Sequence, residues 1–490
     1  MTSSTTDLLK RSYGLSLAGT ACVRTAGFVF NILLARYLGA SSFGEFMIYL
    51  AVLQFAVMLS DAGFGAGALR FMALFSGQGN TVKEADTFRF SGLVILSLSF
   101  VTALLLWSLR HPLSVLFKAD NISWMIEYTF FFVSVTALAQ FLMQAMQGSQ
   151  DFRRMIVFRD ILEPLLRLAV CAAALLLGFR LAAALASYVT GQLFLCLAAA
   201  VFFAKKWRGI LFKTTFSTEV LRPLVLFSIP LLLTNLTNYL FQWMDTLILG
   251  SLVSTKDVGI YSSAMRWASL GGTPLAALAP IFLPTITRLH GEGRREEITS
   301  LYRKITAGLI SFGWLFLFIV TAYADALMGF FGPEFREQGR YILPLLSLGV
   351  YINVATGPTG SFFHMTGRSK LMFYTALSLM PIALFTNYYL ISRWGLWGAA
   401  IAYTFVVSLS NIVNVVALWF CEGITPYSSA SALVFLTGGV FFVVTLAIRV
   451  WVPVPVWADG LIWMGIYPAL LIRFKILPGP GDWKRWIQGT

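Results

Sequence analysis

Residues Leu34 to Gly44 are echoed 215 positions later by Leu249 to Gly259, which places Gly44 on Gly259. Arg89 falls on Arg303, Leu113 on Leu327 and Phe117 on Phe331 at an offset of 214, and Pro164 on Pro381 at 217. A register that drifts so little marks an internal duplication, so the chain is read as two like halves. Each half carries six long apolar runs. Six is even, so both halves enter a bilayer with the same orientation, related by an axis along the membrane normal.

The runs are long enough to cross a bilayer. Of 490 residues, 58% are hydrophobic and 12% charged, with a mean hydropathy of +0.77. A globular chain has about a quarter charged residues. An all-α polytopic membrane protein of about fourteen transmembrane helices follows, because helices satisfy their own backbone amides in lipid. The expected organisation is a six-helix lobe over 1–204, a basic cytoplasmic linker over 205–222, a second six-helix lobe over 223–420, and two further helices with a tail over 421–490. Of 36 Lys and Arg residues, 24 fall in segments on the side of the N-terminus, nine on the other side and three within spans. That bias places both termini in the cytoplasm. The net charge of +14 does not indicate nucleic acid, because the basic residues alternate with the apolar runs. The first run contains Arg24 and is too long for the core of a cleavable signal, so none is expected. Cys22, Cys171, Cys196 and Cys421 show no metal or disulfide spacing and read as small core residues.

Polar residues inside apolar spans are costly and mark candidate sites. Ser16, Thr20, Arg24, Gly27 and Asn31 follow at steps of three or four and form one stripe of the first span. The seventh span, its repeat, carries Asn235, Asn238, Gln242 and Asp245 at the same steps. Equivalent faces of equivalent helices are thus polar, as expected of two walls of one cavity. The arginines do not repeat: Arg24 aligns with Tyr239, and Arg266 of the eighth span aligns with Ala51. Asymmetric cations suit an anionic group held off-axis, while snorkelling to the interface competes as an account of Arg266. Gln140, Gln144 and Gln147 give the fourth span a polar stripe, with Gln144 taken as a cavity residue. Glu163 and Arg167 are four apart and read at least as readily as a neutralised structural pair as a transport element. Asp61 and Asp245 are candidates for ion coupling. Gly63, Gly65 and Gly67 imply tight helix packing or, less favoured, a hinge. Neither a phosphate-binding loop nor a nucleophile–base constellation is present, so no enzymatic activity and no cofactor are expected. His111, His290 and His364 are scattered at span ends or in loops, which argues against a metal site.

The run Leu34-Ala35-Arg36-Tyr37-Leu38-Gly39 through Phe43-Gly44-Glu45-Phe46, followed by Asp61-Ala62-Gly63 and Arg70, resembles the N-terminal pattern of the polysaccharide transporter family. That family includes the O-antigen flippases and shares a superfamily with multidrug and toxin extrusion carriers and lipid II flippases. The resemblance implies an alternating-access carrier in a bacterial inner membrane that moves undecaprenyl-pyrophosphate-linked oligosaccharides between leaflets. Membrane lipids, and a polysaccharide polymerase or export complex, would be its partners. It also implies that Arg24 is similar to the cavity arginine of the lipid II flippases. The readings it competes with are an ion-coupled drug or cation antiporter and a non-transporting scaffold of a polysaccharide synthase.

Overall fold

The computed structural model describes residues 3–128, 130–207, 218–365, 369–451 and 455–473. Those residues contain helices and no strand. Most of the 205–222 linker lies outside them.

By their internal packing the residues form two compact units, Met1–Ile260 and Tyr261–Thr490. The first opens with α1 (Ser3–Asp61), whose 59 residues would run about 89 Å if straight, far more than one bilayer crossing. Gly39 breaks it with φ 77° and ψ 170°, a conformation that costs a residue without a Cβ little, so α1 comprises two spans joined by a turn. There follow α2 (Phe64–Gly77), α3 (Thr81–Ser108), α4 (Arg110–Leu116), α5 (Asp120–Tyr128), α6 (Phe130–Gly148) and α7 (Phe152–Ile156). A π-helical turn over Val157–Leu162 leads into α8 (Glu163–Leu176), α9 (Leu181–Lys206) and α10 (Thr218–Leu252). The unit ends within α11 (Thr255–Ser269). Its boundary falls beyond the start of the second repeat because α10 packs on α1 and α2: a Cβ on Gly67 would lie 2.6 Å from Ser228 Oγ, and one on Gly63 2.3 Å from the Ser228 carbonyl oxygen. The glycine-rich stretch therefore serves close helix packing.

The second unit contains α12 (Thr273–Gly291), α13 (Arg295–Ala322), α14 (Ala324–Gly329), α15 (Pro333–Ala355), α16 (Thr359–Met365) and α17 (Ser369–Glu422). Helix α17 is broken at Gly395 as α1 is at Gly39. Next come α18 (Ser429–Trp451), α19 (Val456–Gly460) and, after a second π turn, α20 (Tyr467–Arg473). The core of this unit gathers Phe282, Tyr302, Phe362, Phe363 and Leu418. Helix α18 packs on α13 where Trp314 lies against Gly438, and Trp463 stacks on Phe318 at 4.6 Å, so the last helices are seated on the second repeat. Eight described helices are long and apolar enough to cross a membrane, and two of these, Gly14–Asp61 and Lys370–Glu422, span 48 and 53 residues. Other expected spans are interrupted helices, such as 258–287, which a 3-10 turn at Leu270–Gly272 divides.

The duplication is visible in the backbone. Helices α3 and α13 are each 28 residues long, and their first residues, Thr81 and Arg295, stand at the same offset as Arg89 and Arg303. The residues two before each start, Gly79 and Gly293, have φ of 68° and 71°. Lys118 and Gly332, again at that offset, both have positive φ. At the turns that carry the sequence repeat, Gly44 lies against the Thr255 carbonyl and Gly259 against the Ala40 carbonyl. Ala40 and Thr255 are themselves related by the repeat, so each copy presents the same glycine to the same carbonyl of the other. Ser41 and Thr255 share a hydroxyl hydrogen bond of 2.8 Å at this crossing.

Candidate functional site

Three helices of the first unit turn amide side chains toward one space. After its bend, α1 presents Gln54, Met58 and Asp61 at steps of four and three. Helix α6 adds Gln140 and Gln144, and α10 adds Asn235, Asn238, Tyr239, Gln242 and Trp243. They enclose a cavity of about 480 Å³. Six of its lining residues are carboxamides, each of which both donates and accepts hydrogen bonds.

The walls are fixed by contacts among these helices. The Tyr239 hydroxyl donates to the Ala51 carbonyl at 2.8 Å, and its ring lies 5.2 Å from that of Phe55. Gln140 Nε2 donates to Gln54 Oε1 at 3.4 Å, and Gln54 Nε2 donates to the Tyr188 hydroxyl at 3.2 Å. The carboxylate of Asp61 accepts the backbone N–H groups of Gly63 and Gly65, each at 3.1 Å. A Cβ on Gly65 would lie 2.3 Å from Asp61 Oδ1 and 2.7 Å from Gln144 Nε2, so this glycine leaves the room both side chains use.

An ion pair between buried Glu163 and half-buried Arg167 stands behind this wall. Arg167 Nη1 lies 3.6 Å from Glu163 Oε1, with the guanidinium 5.1 Å from the Phe30 ring and 5.6 Å from the Tyr188 ring. Gly191 makes the space, since its Cβ would meet Glu163 Oε1 at 2.5 Å. Glu163, Arg167, Tyr188, Gln54 and Gln140 thus form a continuous polar line through four helices into the cavity. The spacing of Glu163 and Arg167 announced their pairing. Their link through Tyr188 to Gln54 depends on tertiary contacts and had no sequence signal beyond the lone glutamine of an apolar run.

Asn235, Asn238, Gln242, Gln144 and Asp61 are brought together by the cavity, whereas Thr20, Arg24, Asn31 and Asp245 do not line it. The Thr20 hydroxyl donates to the Ser16 carbonyl of its own helix at 2.9 Å. Asn31 is buried, its Nδ2 donating to the Gly27 carbonyl at 2.6 Å, and its Oδ1 has no hydrogen-bond partner among the described residues. Asp245 is buried on α10. Arg24 is half-buried on the first half of α1, which packs at Gly19 against Ile156 and Asp160. Arg24 and Gln54 are each fifteen residues from Gly39, hence each about 22 Å along its helix from the bend. Arg266 is exposed and belongs to the second unit.

The pattern of a family of polysaccharide biosynthesis proteins matches residues 9–290, more than half of the 490. The chain belongs to this polysaccharide biosynthesis protein family. A second pattern, MatE, matches residues 230–389. Among curated relatives of this family member, the probable flippase AglR of Haloferax volcanii is 29% identical over 229 residues, covering 45% of this chain and 47% of AglR. The succinoglycan biosynthesis transport protein ExoT of Rhizobium meliloti is 25% identical over 370 residues, 74% of this chain and 70% of ExoT. The match spans about half the length of AglR and of the Staphylococcus aureus capsular polysaccharide biosynthesis protein CapF. Among solved structures, the lipid II flippase MurJ in an inward closed conformation superposes with a TM-score of 0.74 over 94% of this chain and all of MurJ, at 14% identity. An inward-facing multidrug resistance MATE family transporter gives 0.64 over 88% of this chain and 98% of its own, at 16% identity. The family member is therefore a multi-pass membrane protein with a transporter fold.

Proposed function

We propose that this protein is a flippase that moves an undecaprenyl-pyrophosphate-linked oligosaccharide across a bacterial inner membrane by alternating access, for surface polysaccharide synthesis. The observation that carries the reading is the composition of the cavity wall. Carboxamides present paired donors and acceptors that match sugar hydroxyls, and Tyr239 and Trp243 offer faces on which pyranose C–H groups stack. Asp61, the one carboxylate among the described wall residues, already accepts two backbone N–H groups. Arg24, as many residues before the Gly39 bend as Gln54 is after it, is assigned to the pyrophosphate. The basic bias of one face supports cytoplasmic termini. A polymerase or export complex is the natural recipient of the product.

The MatE match and relatives such as the probable multidrug resistance protein NorM of Bacillus subtilis favour a second reading, a drug or cation antiporter. The amide-rich wall speaks against it. The test is mass spectrometry of polyprenyl-linked lipids in the producing strain after deletion, with complementation by wild type, Arg24→Ala, or Gln54→Ala combined with Gln140→Ala. A pyrophosphate-linked oligosaccharide should accumulate, wild type should clear it, and the variants should not. Absence of accumulation in a deletion strain with active synthesis, together with resistance to cationic dyes conferred by expressing the protein, would replace the flippase by the antiporter. Full complementation by every variant would favour a scaffold.

A further inference from the structure

The duplication supplies an internal control for charge. In the first repeat the start of α3 is acidic and satisfied: buried Glu84 pairs with Lys206 at 2.6 Å and accepts from the Ser149 hydroxyl at 2.8 Å. Asp86 and Arg89 form a second ion pair, with both side chains buried. In the second repeat the equivalent positions of α13 read differently. Glu84 becomes Ile298 and Asp86 becomes Ser300, while Arg89 is retained as Arg303 and Phe90 becomes Lys304. The cation has been kept and its carboxylate removed.

What faces Arg303 instead is a cavity of about 630 Å³ within the second unit, between the first turns of α13 and the turn from α17 to α18. Arg303, Lys304 and Ser300 line it together with Thr299 and Ser428. Arg303 reaches Thr425 through two contacts of 3.4 Å, to the carbonyl oxygen and to the hydroxyl. Two carboxylates also line the space: buried Glu422 lies 3.8 Å from Arg295, and Glu296 is exposed on the first turn of α13. Three cations thus face two acids, one of which is paired. Apolar surface from Ala307, Ile424 and Ala430 completes the wall.

We propose that this cavity binds a phosphate group, carried by an anionic phospholipid or free in solution, with Arg303 and Lys304 as its cations and the Ser300 hydroxyl as a donor. A guanidinium whose carboxylate partner has been replaced by serine beside open space is suited to an external oxyanion, and phosphate matches its fork of donors. Apolar wall beside the cations, at the end of membrane-crossing helices, suits the glycerol and upper acyl carbons of a lipid.

The first repeat dictates the test. Ser300→Asp restores the i, i+3 carboxylate that Asp86 supplies to Arg89, and so should fill the site with an internal anion without disturbing the core. Full-length wild type, Ser300→Asp and Arg303→Gln are compared by native mass spectrometry for retained phosphatidylglycerol against phosphatidylcholine, and by thermal shift with inorganic phosphate. Wild type should retain phosphatidylglycerol selectively, and both variants should lose about tenfold in that retention, the size expected for one charge-assisted contact. A phosphate-induced shift in wild type that both variants lose, without lipid selectivity, would identify the free anion as the source. If neither probe distinguishes wild type from Ser300→Asp, while that variant unfolds at the wild-type temperature in phosphatidylcholine, the site does not exist.

Discussion

The crossing of the two repeated turns gives a prediction whose size follows from distances. A Cβ on Gly44 would lie 1.7 Å from the Thr255 carbonyl oxygen, and one on Gly259 would lie 2.1 Å from that of Ala40. Real Cβ atoms keep at least 3.0 Å from such neighbours, so the crossing must open by more than an ångström in the first case and by slightly less in the second. Both obstacles are backbone, which cannot rotate away. Overpacking of this kind costs about 1–3 kcal/mol, and stretching the Ser41–Thr255 hydrogen bond adds about 1 kcal/mol. Gly44→Ala should therefore cost about 3 kcal/mol and Gly259→Ala about 2 kcal/mol. With an unfolding entropy of ~2.1 cal/mol/K per residue over the whole Met1–Ile260 unit, these become losses of about 6 °C and 4 °C in Tm. One separation of the helices relieves both clashes. The double variant should then lose close to the larger single value, a coupling of about 2 kcal/mol. Thermal unfolding of the purified protein in lipid nanodiscs reads all three. Additive losses in the double variant, about 10 °C on the same scale, or no loss in either single variant, would refute the reciprocal contact.

Other perturbations reach different parts of the molecule. Arg167→Ala strands the Glu163 carboxylate in a buried site and should cost about 3–5 kcal/mol, most of it recovered when Glu163→Gln is added; thermal unfolding of both variants checks this. Ser60→Ala removes the 2.6 Å hydroxyl contact to Thr102, both residues being buried, and should cost about 1–2 kcal/mol by the same measurement. Hydrogen bonding from Arg294 holds the exposed Glu292 carboxyl below its ordinary range. A depressed carboxyl contributes stability that is fully present above its unfolded value of about 4.3 and is lost as pH falls through the depressed folded value, so wild type should exceed Glu292→Gln by a small margin at about pH 7 and match it only once the folded carboxyl is itself protonated.

The parts of this fold that could be read from residues are those that chain length and periodicity dictate. The first apolar span, Ser12 to Gly39, ends at a turn in the sequence and at a break in the helix, and the offset between Arg89 and Arg303 reappears as two helices of equal length. The stripe of Asn235, Asn238 and Gln242 was legible for the same reason, since one face of one helix is a local property. Arg24 and Thr20 belong to an equally clear stripe, yet the described cavity is walled by the second half of α1, because the turn at Gly39 decides which half faces α6 and α10. That choice is made by packing. Gln54 and Tyr188 escaped notice since each is a single polar residue whose partner lies more than a hundred positions away. Helix interruptions at Leu270–Gly272 and Val157–Leu162 were likewise hidden, because hydropathy averages over a window longer than the break.

A chain made of two copies faces a hazard during synthesis, since any element of one copy has a counterpart that could dock in its place. The charges at the ends of α9 and α17 differ between the copies. Lys206 closes α9 and meets Glu84 on α3, whereas Glu422, at the corresponding end of the second copy, closes α17 and meets Arg295 on α13. Were α17 to dock on α3, Glu422 would meet Thr81 in place of Arg295, and were α9 to dock on α13, Lys206 would meet Ile298 in place of Glu84. Both wrong pairings leave a charge at the end of its helix without the counter-charge it meets in its own copy. The inversion therefore distinguishes the two copies, since each helix end finds its counter-charge only within its own repeat.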